Sequence, residues 1–338
     1  MNKKKVLVTG GAGYIGSHAV KALLEAGRPV LVFDNLCRGY REVIEVLRKK
    51  YPRLELVVGD LKNRADIEAV FTQNDIDGVL HFAALCLVNE SMEEPAKYFE
   101  NNVLGTLNLL RAMKNHEVGK LVFSSTCAVY GEAKYLPIDE KHPTVPVNPY
   151  GESKLMAERE IFWFSRLFSL KAVAFRYFNV AGASSDGLIG DSKKPSQLLV
   201  QNAVRGALGI EPFKLTCPKV DTPDGTPIRD YVNVEDLARA HVLALDYLGK
   251  KESRSHQVFN LGTGQGNSVL EIINRVWEIT GAKFPLGKGP ARKGEYAKVY
   301  ANINKVKKEL GWRPEKSLPE TVCSLVAWYN KHPHGWSF

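Results

Sequence analysis

The chain has 338 residues, 44% hydrophobic and 25% charged, the balance of a globular protein large enough for two domains or one large α/β domain with an appended part. No stretch approaches the ~18 consecutive apolar residues of a membrane span. The apolar run behind the basic start "MNKKK" is only Val6 to Val8, so we expect no secretory leader and a cytoplasmic, membrane-free protein. The net charge is +9, and residues 283–316 hold ten Lys/Arg against three Glu. No nucleic-acid motif accompanies that stretch, which reads as a solvated basic face rather than a nucleic-acid surface. The five cysteines form no C-x-x-C pair, which argues against a zinc site, and no metal is expected.

The first elements are a strand at Val6 to Val8, a glycine turn and a helix. Gly10, Gly11, Gly13 and Gly16 form the turn, and apolar residues then recur at helical spacing at Ile15, Ala19, Ala22 and Leu23. "RPVLVFD" supplies the next strand and ends on Asp34, 18 residues after Gly16. Glycines there let a pyrophosphate approach the backbone, and the helix N-terminus offers free N–H groups. An acid closing the second strand accepts from a ribose and repels a 2′-phosphate, so the pattern predicts NAD rather than NADP. Further strands are expected at 54–60, 78–84, 120–126 and 171–179, separated by helical stretches such as "PAKYFENNVLGTLNLLRAMKNH". The alternation predicts an α/β fold, a doubly wound parallel (Rossmann) sheet with a smaller mixed α/β domain. Ligands sit beyond the carboxyl ends of such strands, where Asp60, Ala84, Thr126 and Asn179 lie. We expect an NAD-binding domain over 1–180 and a substrate domain over 181–338, with some later segments returning to the first.

Three tyrosines precede a lysine by four residues: Tyr130/Lys134, Tyr150/Lys154 and Tyr247/Lys251. On a helix that spacing stacks the side chains on one face. Tyr247 lies at a polar helix end and is expected at the surface. Tyr130 leads into "YLPIDEKHPTVPVNP", a proline-rich loop with no helix to hold Lys134, so Tyr130 is expected to anchor a loop. Tyr150 follows Asn148, a helix cap, and Pro149, a first-turn residue, and opens "YGESKLMAEREIFWFSRLF". A free phenol has a pKa of ~10, and a neighbouring ammonium favours its ionised form. Only Tyr150 and Lys154 are therefore expected to be chemical.

The motifs "VTGGAGYIGSH", "FSST", "NPYGESK", "RYFNVAGA", "DGTPIRDYVNVEDLARAH" and "NLGTGQGNSV" make the chain resemble the extended short-chain dehydrogenase/reductase family. Within it, the chain is most similar to the UDP-glucose (UDP-galactose) 4-epimerases, nearly end to end. The resemblance implies Tyr150 as acid and base, supported by Lys154, with Thr126 as a third catalytic hydroxyl. It implies that Gly10, Gly13, Tyr14, Ile15 and Gly16 hold the pyrophosphate, that Asp34 and Asn35 hold the ribose, and that Asp60 and Leu61 flank the adenine. Phe82, Ala83, Ala84, Cys86, Asn101, Ser124, Tyr177 and Phe178 complete its cofactor pocket, together with Tyr150 and Lys154. Substrate positions are Thr126, Asn179, Leu198, Arg229, Tyr231, Val269, Arg292, Glu295 and Val299. The chain departs from the pattern at Cys86, where many relatives carry lysine, at Glu295, where Asp is common, and at "TCPKV" (216–220), which lacks the uracil-stacking aromatic. The implied activity is reversible C4 epimerisation of a UDP-sugar, UDP-glucose/UDP-galactose and, through the small Val299, also the N-acetylated pair. UDP-arabinose 4-epimerases share many of these motifs and stay open as an alternative. A 4,6-dehydratase would need an Asp-Glu pair after the strand-end Thr, where Cys127 and Ala128 stand, and a non-catalytic NAD-binding scaffold would not need Tyr150, Lys154 and Thr126 together. Relatives dimerise through a four-helix bundle, so a homodimer is expected from the helices near 95–115 and 149–168.

Overall fold

The computed structural model describes residues 4–193, 196–250, 255–289 and 296–336. In chain order the elements begin β1 (Lys5–Thr9), α1 (Tyr14–Glu25), β2 (Val30–Asp34), α2 (Arg41–Lys50), β3 (Glu55–Val58), α3 (Arg64–Gln73) and β4 (Ile76–His81). There follow α4 (Val88–Glu93), α5 (Pro95–Tyr98), a π-helical turn (Phe99–Leu104), α6 (Gly105–Asn115), β5 (Lys120–Thr126), a short 3₁₀ turn (Cys127–Val129), α7 (Pro149–Leu167), β6 (Lys171–Tyr177) and β7 (Asn179–Ala181). The rest comprises α8 (Leu199–Ala207), β8 (Lys214–Leu215), β9 (Ile228–Arg229), β10 (Tyr231–Asn233), α9 (Val234–Gly249), β11 (Ser255–Leu261), β12 (Asn267–Ser268), α10 (Val269–Thr280), β13 (Gly287–Lys288), β14 (Lys298–Val299), α11 (Asn304–Leu310) and α12 (Leu318–Lys331).

Two compact units result. The first holds Met1–Gly131, Pro143–Tyr177 and Ala238–Phe259, and the second Glu132–His142, Phe178–Leu237 and Asn260–Phe338. The chain therefore leaves the first unit at Tyr177, close to residue 180, but also lends it a later segment and gives 132–142 to the second. Seven strands form one sheet in the order β11-β6-β5-β4-β1-β2-β3, and the pairings described among β1 to β6 are all parallel. Strand order reverses between β1 and β4, the switch point at which such sheets bind ligands.

The inner strands read as unbroken apolar runs because both faces are covered. Leu7, Leu31, Val79, Leu121 and Ala172 are fully buried and share one cluster with Leu109 and Leu110 of α6 and Ala157 and Ile161 of α7. Each such aliphatic side chain contributes about 1.5–3 kcal/mol by leaving water. Helix α7 thus lies on the sheet with a fixed inner face, and its first turn is set by Asn148, whose Oδ1 accepts from Gly151 N at 2.8 Å. Among the described residues no helix is long and apolar enough to cross a membrane.

The expected single helix before residue 115 is broken into α5, the π turn and α6. Within the π turn, Asn102 is buried. Its side chain accepts from Leu85 N (2.9 Å) and donates to Leu85 O (3.0 Å) and Ser153 Oγ (3.0 Å). π turns of this kind often sit at functional sites.

Candidate active site

The glycine turn is built to exclude side chains. Gly10 has φ +72°, and a Cβ there would fall 2.5 Å from Ala83 N. A Cβ on Gly16 would fall 2.2 Å from Gly10 O. The first turn of α1 carries no acidic residue, and its cap is Gly13, with no side chain to bond the first amides, a helix start suited to an anion. Tyr14 is buried and Ile15 half-buried on the same turn. Asp34 closes the cradle, with Oδ2 accepting from Ala12 N and Oδ1 from Leu36 N, both at 2.9 Å. Burial raises its carboxyl pKa, opposed by those two N–H bonds. Asn35 donates to Asp60 Oδ2 at 3.2 Å, which brings both predicted adenosine residues together. The Leu61 side chain packs in the core cluster. These features fit a dinucleotide.

The end of β4 lies over this cradle. Phe82 N and Ala83 N both donate to Thr9 O, at 2.9 and 3.1 Å. Asn102 clamps the following loop at Leu85, and Asn101 donates to Asn102 Oδ1 at 3.0 Å. Ala84 is half-buried and Cys86 exposed. Cys86 lies close enough to act electrostatically on both Tyr150 and Lys154, so this thiol stands beside the tyrosine–lysine pair.

Tyr150 and Lys154 occupy the first turn and a half of α7, as expected, but the lysine is not held by the phenol. Lys154 is buried and donates from Nζ to Ser124 O at 2.7 Å, with the ammonium 4.7 Å from the Phe123 ring centroid. Burial lowers its pKa to about 8, opposed by the charges of Cys86 and Glu158. Thr126, at the end of β5, hydrogen-bonds to the Tyr150 phenol. That bond favours the ionised phenol, yet burial prevails, and the Cys86 charge adds to it, so the Tyr150 pKa stands above its ordinary value. The expected depression by Lys154 is thus not what this arrangement produces by itself. Tyr98 meets Tyr150 edge-on at 6.4 Å and is fixed by bonds to Leu87 O (2.7 Å) and Glu90 (2.8 Å).

Two histidines complete the floor, and neither was singled out by sequence. His81 bonds Thr9 Oγ1 at 2.7 Å and Thr106 Oγ1 at 3.0 Å. Thr106 spends its one hydroxyl proton on Asn102 O, so His81 Nε2 donates to it and Nδ1 accepts from Thr9. Burial, with the Lys154 charge adding, lowers the His81 pKa to about 3. His241, fully buried, bonds the Tyr177 hydroxyl at 2.6 Å and lies 4.6 Å from the Phe82 ring. Tyr177 also bonds Ser124, so Tyr177, Ser124 and Lys154 are linked.

In the second unit, Asn179 pairs in register with Tyr231. Arg229 lies in β9, with Val299 opposite it in β14 and Asn267 opposite it in β12. Val269 opens α10, and its N–H donates to Pro227 O at 3.1 Å. Asp230 ties these pieces together by accepting from Thr263 N, Gly264 N and Ala301 N at 2.6, 3.0 and 3.2 Å. Phe178 is buried, and Leu198 precedes α8. Arg292 and Glu295 lie outside the described residues. Tyr130 is fully buried beneath the Arg176 guanidinium, 4.8 Å from its ring centroid, while Lys134 is exposed. Tyr247, expected at the surface, is half-buried with its ring 6.2 Å from Phe259, because it faces inward from α9; Lys251 lies outside the described residues.

A side-chain-free glycine cradle closed by an acid, beside a tyrosine, a lysine and a threonine at one sheet edge, defines a dinucleotide-dependent enzyme acting on hydroxyl groups. The chain belongs to the NAD dependent epimerase/dehydratase family, whose sequence pattern matches residues 6–262. It is 44% identical to a UDP-glucose 4-epimerase of Lacticaseibacillus casei, over 98% of each chain. It is 40% identical to a putative UDP-arabinose 4-epimerase of Arabidopsis thaliana, over 98% of this chain and 78% of the relative. The crystal structure of UDP-glucose 4-epimerase from Bifidobacterium longum in complex with NAD+ and UDP superposes with a TM-score of 0.93 at 39% identity, covering 98% of this chain and all of that one.

Proposed function

We propose that this protein is an NAD-dependent isomerase that inverts C4 of a UDP-sugar, interconverting UDP-glucose and UDP-galactose. The single observation that carries this reading is the Tyr150–Thr126–Lys154 cluster at the carboxyl ends of β5 and β6, beside the glycine cradle. Gly10, Gly13, Gly16, Asp34 and Asn35 would hold the dinucleotide, with Ser124, Lys154 and Tyr177 on the nicotinamide side. Bound NAD supplies a reversible hydride acceptor for C4, and its oxidised ring brings a positive charge that favours the phenolate. Tyr150 takes the 4-hydroxyl proton onto its phenol oxygen and returns it to the same oxygen once the sugar, as its 4-keto form, has presented its other face. Thr126 keeps that oxygen aligned. Lys154, fixed on the Ser124 carbonyl, keeps a positive charge beneath the site. Arg229 and Arg292 suit a diphosphate by charge and fork geometry, and the UDP end stays anchored while the sugar turns.

The 3₁₀ turn after Thr126 carries Cys127 and Ala128, and Ala128 N donates to Thr126 Oγ1 at 3.1 Å. That turn lacks the acid pair a 4,6-dehydratase needs, which favours epimerisation. Proton NMR of the protein incubated with UDP-galactose tests the reading. UDP-glucose is the expected product. A 4-keto-6-deoxy sugar would make it a dehydratase, and faster conversion of UDP-arabinose would move it to the pentose pair.

Val299 is buried opposite Arg229, and its small side chain supports acceptance of the N-acetylated pair. Val299→Tyr should lower the UDP-GalNAc to UDP-galactose rate ratio by about tenfold, the cost of crowding a pocket; an unchanged ratio counts against the gate. A homodimer is supported by apolar side chains that α7 and the π turn leave exposed, namely Leu104, Phe162, Trp163 and Leu167. Within the first of those two helical stretches, Leu110 is instead fully buried in the core of its own unit. The mass in solution by light scattering decides the assembly.

A further inference from the structure

Beneath the tyrosine–lysine pair lies a buried ion pair that the reaction scheme above does not use. Glu158 and Arg176 are both nearly inaccessible. Arg176 donates to the carboxylate from Nε at 3.0 Å and from Nη2 at 2.6 Å, a two-pronged contact. Ser125 Oγ donates to the same Glu158 oxygen that accepts from Nε. Ser125 and Arg176 face each other in register across β5 and β6, one residue before Thr126 and Tyr177. On its other side Arg176 covers the Tyr130 ring. One carboxylate on α7 thus binds the two strand ends that carry Thr126, Tyr177 and the Ser124 carbonyl. It sits one helical turn beyond Lys154, on the same buried side.

A buried ion pair is weak support for stability, because apolar residues of the same volume commonly serve as well. What apolar residues cannot supply is charge next to Lys154. We propose that Glu158, in its pair with Arg176, is a positioning residue for the reaction: it fixes the register of α7 on the ends of β5 and β6 and keeps Lys154 an ammonium aimed at Ser124. This rests on the assignment of Tyr150 and Lys154 given above. The titratable groups that act on Lys154 or are acted on by it are Glu158 on α7, Cys86 in the loop after β4, and His81 on β4. His81 is neutral, so the anionic support for the ammonium comes from the Glu158 carboxylate, against the opposing effect of burial.

The test uses the full chain as wild type, Glu158→Gln and Glu158→Gln/Arg176→Gln. Glu158→Gln leaves Arg176 as an uncompensated cation, which should favour the neutral amine at Lys154. The basic limb of the kcat profile for UDP-galactose should then move to lower pH, with about a tenfold loss of kcat on that limb and KM within about twofold. The double variant also removes the uncompensated Arg176 cation and should return the limb only part of the way, the remainder being the lost support of the Glu158 carboxylate. Nitrogen-15 NMR of the Lys154 ammonium, assigned with Lys154→Arg, reads the same shift and recovery without turnover. An unmoved limb and titration in Glu158→Gln overturn the proposal. So does a complete return of the limb in the double variant, which would mean that the bare Arg176 cation, and not the lost Glu158 carboxylate, had moved it. Tyr150→Phe in parallel separates the two claims: normal turnover there sinks the epimerase assignment, while the Lys154 titration still decides the role of Glu158.

Discussion

"YGEAK" at 130–134 and "YGESK" at 150–154 differ by one letter and fold into opposites. After Tyr130 the chain turns at Gly131, whose φ is +67°, and Lys134 ends in solvent 4.0 Å from Glu132. After Tyr150 a capped helix carries Lys154 into the sheet edge, where a strand carbonyl takes its charge. In the first pair the tyrosine is buried and the lysine exposed; in the second the lysine is buried and the tyrosine half-buried, its hydroxyl desolvated against Thr126. Spacing alone therefore carries no chemistry. The cap before Tyr150 and the sheet edge under Lys154 do.

Several substitutions would break that contrast, and their expected effects descend in size. Tyr150→Phe removes the acid–base group and should cut turnover by roughly a thousandfold, within the range of general acid–base catalysis. Lys154→Met removes the charge beneath the phenol and should cost about a hundredfold. The Lys154 pKa of about 8 lets that loss be cross-checked, since turnover of the wild type should fall as pH rises past that value and the ammonium loses its proton. Thr126→Val loses one hydrogen bond to a charged oxygen and should cost about tenfold, in kcat rather than KM. Tyr130→Phe keeps the ring under Arg176, so turnover should stay within about twofold while stability to urea falls by ~1 kcal/mol.

Much of this contrast could be read from the letters. The glycine cradle, Asp34 and the cap at Asn148 are local, and each signal lies within a few residues of the structure it causes. The elements that sequence left silent are made by distant partners. Asn102 reaches Leu85 and Ser153, Tyr177 reaches His241 across 64 positions, and Glu158 reaches Arg176 on the next strand. Nothing in the spacing of "PAKYFENNVLGTL" announces a π turn whose Asn102 bonds another loop. The second unit was harder for a different reason. Its strands β8, β9, β12, β13 and β14 are two residues each, too short for any periodicity. Asp230, which organises them, looks in sequence like any acid after an arginine.

The direct test of the account is the rate of UDP-galactose conversion to UDP-glucose by the Tyr150→Phe and Tyr130→Phe proteins, measured side by side with fold and bound NAD verified. The account predicts that the two rates differ by about three orders of magnitude, with Tyr130→Phe near wild type. Equal rates, or a Tyr150→Phe protein that turns over normally, would contradict it.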